Sequence, residues 1–133
     1  MSRVVLDTSA LIAYLKAEPV ADRLKEAMKS AESLALSTAS LVEAGIVAER
    51  LRGPEGAREL DHLIQRLHIQ IIPFTADHAA LARSAFRRFG KGRHPASLNF
   101  GDCFSYALAR FLGEPLLFVG DDFSRTDIQV AQY

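Results

Sequence analysis

The chain has 133 residues, 49% of them apolar and 24% charged, which fits one globular domain and excludes a disordered or low-complexity chain. Its 16 basic residues offset 16 acidic ones, so bulk charge gives no general attraction to nucleic acid, and any such surface must come from local segregation. A single cysteine, Cys103, excludes an internal disulfide and a Cys-rich metal site, and fits a reducing compartment.

Arg3 to Leu6 is a β-branched run that predicts a strand, and Asp7-Thr8-Ser9 offers caps for a helix over Ala10 to Leu15. No apolar run is long enough to span a bilayer, and Asp7 interrupts the first one before it could form a signal-peptide core. The expected location is therefore the cytoplasm. Pro19 begins a second predicted helix, with Val20, Leu24, Met28 and Ala31 at helical spacing. Leu34 to Leu36 is a second strand, and Ser37 and Thr38 cap a helix running to about Leu51, where Gly53-Pro54 breaks it. Leu60, Leu63, Ile64 and Leu67 mark the next helix. Ile69 to Phe74 is the third strand, Thr75 caps a helix from Ala76 to about Phe89, and Gly90 to Ser97 is a basic loop. Phe100, Cys103, Phe104, Ala107, Leu108 and Phe111 form an amphipathic helix ended by Gly113, and Leu116 to Val119 is a continuously apolar fourth strand. Strands alternate with helices throughout and no linker interrupts them, so residues 1–133 read as one α/β domain with a parallel sheet.

In such a sheet, ligands bind beyond the carboxyl ends of the strands. Asp7 ends the first strand, and Asp121 follows the fourth. Asp102 lies in the first turn of the helix before that strand, and Glu43 lies in the helix after the second. Each has an ordinary structural reading. Asp7 and Asp102 can cap helices, Glu43 can face water, and Asp121-Asp122 can make a turn. None of these explains four acids directed at one sheet edge. Glu43 is crowded by Leu41, Val42, Ala44 and Ile46, and Asp102 is set among Phe100, Cys103 and Phe104. Like charges on partly buried surfaces are costly unless they share a cation. All-carboxylate ligation suits Mg²⁺ or Mn²⁺, whereas zinc would want His or Cys. The four histidines, His62, His68, His78 and His94, lie in no ligand spacing and read as surface residues.

At these residues the chain resembles the PIN-domain family, and closely its VapC-type toxins. The resemblance is carried by Val4 to Leu15, by Ser40-Leu-Val-Glu-Ala44, by Leu98 to Ala109 and by Pro115 to Ile128, in the family's order and spacing. It implies a PIN-like fold, with a central parallel sheet of four to five strands flanked by helices. It implies a metal-dependent endoribonuclease, using Mg²⁺ with Mn²⁺ able to substitute, whose acidic ligands map onto Asp7, Glu43, Asp102 and Asp121. Asp122 competes with Asp121 for the fourth position, and Thr8 is the hydroxyl near the metal. The partners it implies are an RNA substrate, a cognate antitoxin and a second copy of the chain, with no membrane.

Divalent metal activates water and neutralises charge on phosphoryl oxygens, which is what phosphodiester hydrolysis requires. Substrate grip must come from segregated charge. His78 to Gly101 holds Arg83, Arg87, Arg88, Lys91 and Arg93 and no acid, and leads directly into the Asp102 helix. Arg87, Lys91 and Arg93 are the candidate RNA contacts, against a plain solvated face. Tyr14, Phe89 and Phe123 are candidate stacking residues, with core packing the stronger reading of each. The rival classes are a catalytically silent module that binds a protein partner, and another α/β phosphoryl-transfer or phosphatase domain. The latter would want a second Asp at position 9, where Ser stands, or a Lys after the fourth strand.

Overall fold

The computed structural model describes residues 3–133. Four parallel strands stand in the order β3-β2-β1-β4. They are β1 (Arg3–Leu6), β2 (Ser33–Ser37), β3 (Gln70–Ile72) and β4 (Leu116–Leu117). The helices are α1 (Thr8–Leu15), α2 (Ala21–Ser30), α3 (Thr38–Arg66), α4 (Ala76–Phe89) and α5 (Phe100–Leu112). Val4 pairs with Leu34 on one side of β1, and Val5 with Leu116 on the other. The expected parallel α/β sheet is present, at the lower strand count. A single bridge between Leu116 and Val130 extends its edge beyond β4.

Alternation along the strands builds two cores. Val5, Ala35 and Leu116 face one side and pack with Ala85, Phe89, Tyr106, Ala107 and Leu108 from α4 and α5. Val4, Leu6, Leu34, Leu36 and Leu117 face the other side and pack with Leu11, Leu24, Met28, Ala44 and Leu63 from α1, α2 and α3. The two-residue period of a strand sends neighbours to opposite faces, so a sheet covered on both sides reads as apolar throughout.

Several boundaries differ from the sequence reading. Helix α2 starts at Ala21, because Pro19 and Val20 lie in the turn before it. The break expected at Gly53-Pro54 is a kink inside α3: Arg52 leaves helical geometry and Gly53 takes φ 59°, where a glycine is least strained. The chain then resumes its helix at once, so no loop separates the two halves. Strand β4 stops at Leu117 rather than Val119, since the Val119 N–H is donated to Ser9 Oγ (3.0 Å) instead of a neighbouring strand.

Candidate active site

Parallel register brings the ends of β1, β2 and β4 to one edge. Asp7 follows β1 directly and is only 4% exposed. It is the N-cap of α1, with its Oδ2 accepting from the Ser9 N–H (3.0 Å). Its other oxygen, Oδ1, accepts from Ser105 Oγ at 2.5 Å. The Ser105 hydroxyl also meets Ser40 Oγ (3.3 Å), joining α5, α3 and the end of β1. The predicted capping role of Asp7 is therefore real, and it leaves the carboxylate anchored at the sheet edge.

Asp102 is 8% exposed and occupies the third position of α5. Its Oδ2 accepts from the Asn99 N–H (3.0 Å), while Asn99 Oδ1 accepts from the Asp102 N–H (2.9 Å). This capping box fixes the carboxylate near the first turn. Glu43, half-buried on α3, is pressed against Gly101, where a Cβ would overlap its carboxylate. Glycine at position 101 thus lets the Glu43 carboxylate lie beside the α5 backbone. Thr8 is buried; its hydroxyl donates to the Ser40 carbonyl (3.3 Å) and also lies within reach of Glu43.

Of the two adjacent acids after β4, Asp122 is the one that bears on Asp102, helping to raise its pKa. Asp121 is exposed, and its carbonyl accepts from Ser124 Oγ (2.7 Å) in the following 3-10 turn. The acids thus form a sequence of neighbours, Glu43–Asp7–Asp102–Asp122, linked in pairs.

Electrostatics follow from that arrangement. Burial raises the Asp7 pKa, opposed by its hydrogen bonds from Ser105 and Ser9. Burial also raises Glu43, with Asp7 adding to the effect and Thr8 opposing it. Asp102 is pushed up to about 8, first by burial and then by Asp7 and Asp122, against the bond from Asn99. Carboxylates gathered this closely repel, so the cluster favours taking up a proton or a cation.

Among the described residues, none of the ion pairs involves Asp7, Glu43 or Asp102. A set of buried oxygen donors, pushed toward protonation and without a basic partner, fits a hard divalent cation. Among the described residues no three His, Cys, Asp or Glu side chains stand together as a group that could hold a metal ion.

The basic candidates lie apart from this acid cluster in role. Arg87, Lys91 and Arg93 are exposed at the end of α4 and in the loop leading to α5, and Arg93 rests over the Phe86 ring (5.9 Å). Their neighbour Arg88 is committed elsewhere: it pairs with Asp127 (3.1 Å), which also accepts from the Tyr106 hydroxyl at 2.5 Å. Phe89 and Phe123 are core residues and Tyr14 is half-buried. His62 and His68 are exposed and His94 is half-buried, but His78 is buried between Phe74 and Phe111, correcting the surface reading. Cys103 is a buried helix-face residue with its thiol pushed up to about 11 by burial and by Asp102.

Sequence reasoning missed Ser105, Ser40 and Gly101 as parts of the site. A helical signal was present: Ser105 follows Asp102 by three residues and Ser40 precedes Glu43 by three, which puts each serine on the same helix face as an acid.

The PIN domain family matches residues 4–129. Ribonuclease VapC30 of Mycobacterium tuberculosis is 49% identical over 125 residues, covering 94% of this chain and 95% of that protein. The crystal structure of M. tuberculosis VapC20, described as a Sarcin-Ricin loop cleaving toxin, superposes with a TM-score of 0.76 at 20% identity, covering 94% and 95% of the two chains. A toxin–antitoxin complex from Klebsiella pneumoniae contains a chain that matches at 0.73 and 17%, with 98% of both chains covered. With its sheet order, its edge of acids and this identity along nearly its whole length, the chain belongs to the PIN-domain family and, within it, to the VapC ribonucleases.

Proposed function

We propose that the protein is an Mg²⁺- or Mn²⁺-dependent endoribonuclease, the toxin of a toxin–antitoxin pair. The observation that carries this reading is the run of neighbouring acids Glu43–Asp7–Asp102–Asp122, with Asp7 and Asp102 buried and none of the four in an ion pair among the described residues. Asp7 and Asp102 would be the central metal ligands, with Glu43 and Asp122 beside them and Thr8 adjoining. Of Asp121 and its competitor Asp122, the latter is favoured as the fourth acid because it is the one that bears on Asp102. A metal bound there supplies charge neutralisation at the phosphate and a more acidic attacking water. The chain's own contribution is positioning. Ser105 and Ser9 hold the two oxygens of Asp7, Asn99 holds Asp102, and Gly101 makes room for Glu43. The general polarity of the reaction follows: RNA approaches the acidic edge only where cation is present, with Lys91, Arg93 and Arg87 available for flanking phosphates.

The protein partners of this reading are a cognate antitoxin, supported by the fold likeness to a chain of the Klebsiella complex, and a second copy of the chain. Exposed Leu51 on α3 and Phe111 on α5 offer apolar surface for such contacts. The cytoplasm, where RNA is available, is the proposed location.

The test is RNA cleavage by the purified chain with chelator, with Mg²⁺ and with Mn²⁺. Activity should require metal and fall at least a hundredfold, on the order of 3 kcal/mol, in Asp7→Asn with the fold retained by circular dichroism. Full activity of that variant, or of wild type in chelator, rejects the assignment.

A further inference from the structure

A row of aromatic rings runs from the acidic edge along α5 and α4. Phe100 meets Phe104 in a T-shaped contact (4.7 Å between centroids), and Phe104 meets Phe74 in another (5.2 Å). Phe74 meets His78 (5.8 Å), and His78 tilts against Phe111 (4.6 Å). The middle of the row is packing. Its first member is not, because Phe100 is 78% exposed.

Phe100 opens α5, beside the Gly101 that receives the Glu43 carboxylate and two residues before Asp102. It forms one wall of a groove shared with Val42, Glu43, Ile46 and Arg50. The Phe104 ring supports Phe100 on one side and leaves most of its surface open. The groove therefore holds, side by side, an open aromatic surface, a cationic side chain and a member of the acidic cluster.

We propose that Phe100 is the stacking platform for a nucleobase of single-stranded RNA flanking the scissile phosphate. The proposal rests on the ribonuclease reading above. A phosphate drawn to metal at Asp7 and Asp102 puts the adjoining nucleoside next to the first residue of α5. The exposed ring meets the π-face of that base, and Arg50 in the same groove complements a neighbouring phosphate. Phenylalanine offers no hydrogen-bonding group, so this contact adds affinity for any unstacked base and reads no sequence. It also favours single strands, whose bases are free to leave the stack.

The chain contains no tryptophan, so Phe100→Trp introduces a sole fluorescent reporter on this surface. Its emission should be quenched by an oligouridylate of about 12 nucleotides in Mg²⁺, and not by an abasic ribose-phosphate chain of the same length. In cleavage of single-stranded RNA, Phe100→Ala should raise KM about tenfold with kcat within about twofold, and Phe100→Tyr should restore KM. Equal response to the uridylate and the abasic chain, or an unchanged KM in Phe100→Ala, overturns the stacking site. Sedimentation of Phe100→Ala is the control. A loss of dimer with no base-dependent effect would assign the ring to contact between two copies and would also overturn the proposal. Cleavage by wild type without base-dependent quenching removes the platform and leaves the ribonuclease reading. Base-dependent quenching without any wild-type cleavage does the reverse.

Discussion

Ser105 Oγ donates a 2.5 Å hydrogen bond to Asp7 Oδ1 across 98 residues of sequence. The donor is itself buried and in contact with Ser40, so the bond couples α5 and α3 to the end of the central strand. It also opposes the rise in the Asp7 pKa that burial causes. Ser105→Ala should therefore raise the Asp7 pKa further and move the acidic limb of the cleavage rate–pH profile to higher pH. A stability loss of about 1 kcal/mol should accompany it, read from denaturant midpoints. An unmoved acidic limb would show that this bond only supports packing.

Stability without metal should run against the usual acid trend. Asp102 titrates near 8 in the folded protein and at about 3.9 when unfolded. A raised pKa means that the folded state keeps a proton which the unfolded chain gives up. The stabilisation is complete below about pH 4 and is lost as pH rises toward 8. The melting temperature contributed by this group should fall over that window in chelator, and the fall should flatten in Asp102→Asn. At pH 7.5, Mn²⁺ at about a hundred times its Kd should raise the wild-type melting temperature by roughly 5–10 °C. A wild type indifferent to Mn²⁺ would exclude a metal pocket built on Asp102.

The neighbouring acids Asp121 and Asp122 should separate clearly in activity. Both are exposed, but Asp122 bears on the Asp102 charge, whereas the Asp121 carbonyl belongs to a turn. Asp122→Asn should lower cleavage by about tenfold or more, and Asp121→Asn by less than about threefold. The opposite ranking in parallel single-turnover assays would return the fourth position to Asp121.

Lys91 and Arg93 test where the substrate backbone runs. Replacing both with Ala should weaken binding of single-stranded RNA. It should also reduce the slope of log K against log salt by roughly 1.4, two contacts at about 0.7 each. Both side chains are exposed, so melting should be nearly unchanged. An unaltered salt slope would place the RNA on another face.

The elements were legible because their signals are local. Apolar spacing marked α5, and Thr75 marked a helix start that the structure retains. Asp7, Glu43 and Asp102 could be selected because each acid sits in apolar surroundings, which a surface residue seldom does. Ser105, Ser40 and Gly101 were not selected, since their roles arise only when α3 and α5 meet. The choice between Asp121 and Asp122 likewise depends on which side chain the turn after β4 delivers to Asp102. The extent of β4 was hidden for the same reason: a hydroxyl from α1, distant in sequence, takes the N–H of Val119.

The order of the strands has a consequence for biosynthesis. Strand β1 leaves the ribosome first but lies between β2 and β4, and its Val5 and Leu6 wait for Leu116 and Leu117. Asp7 likewise waits for Ser105, and Asp102 for Asp122. Domains fold as units during synthesis, and here the acidic edge is complete only once Leu116 to Asp122 have joined β1. A nascent chain therefore carries its first acid long before it can cut anything. A chain stopped before Leu116 would thus hold Asp7 at the end of an incomplete sheet, without the strand that flanks it on one side.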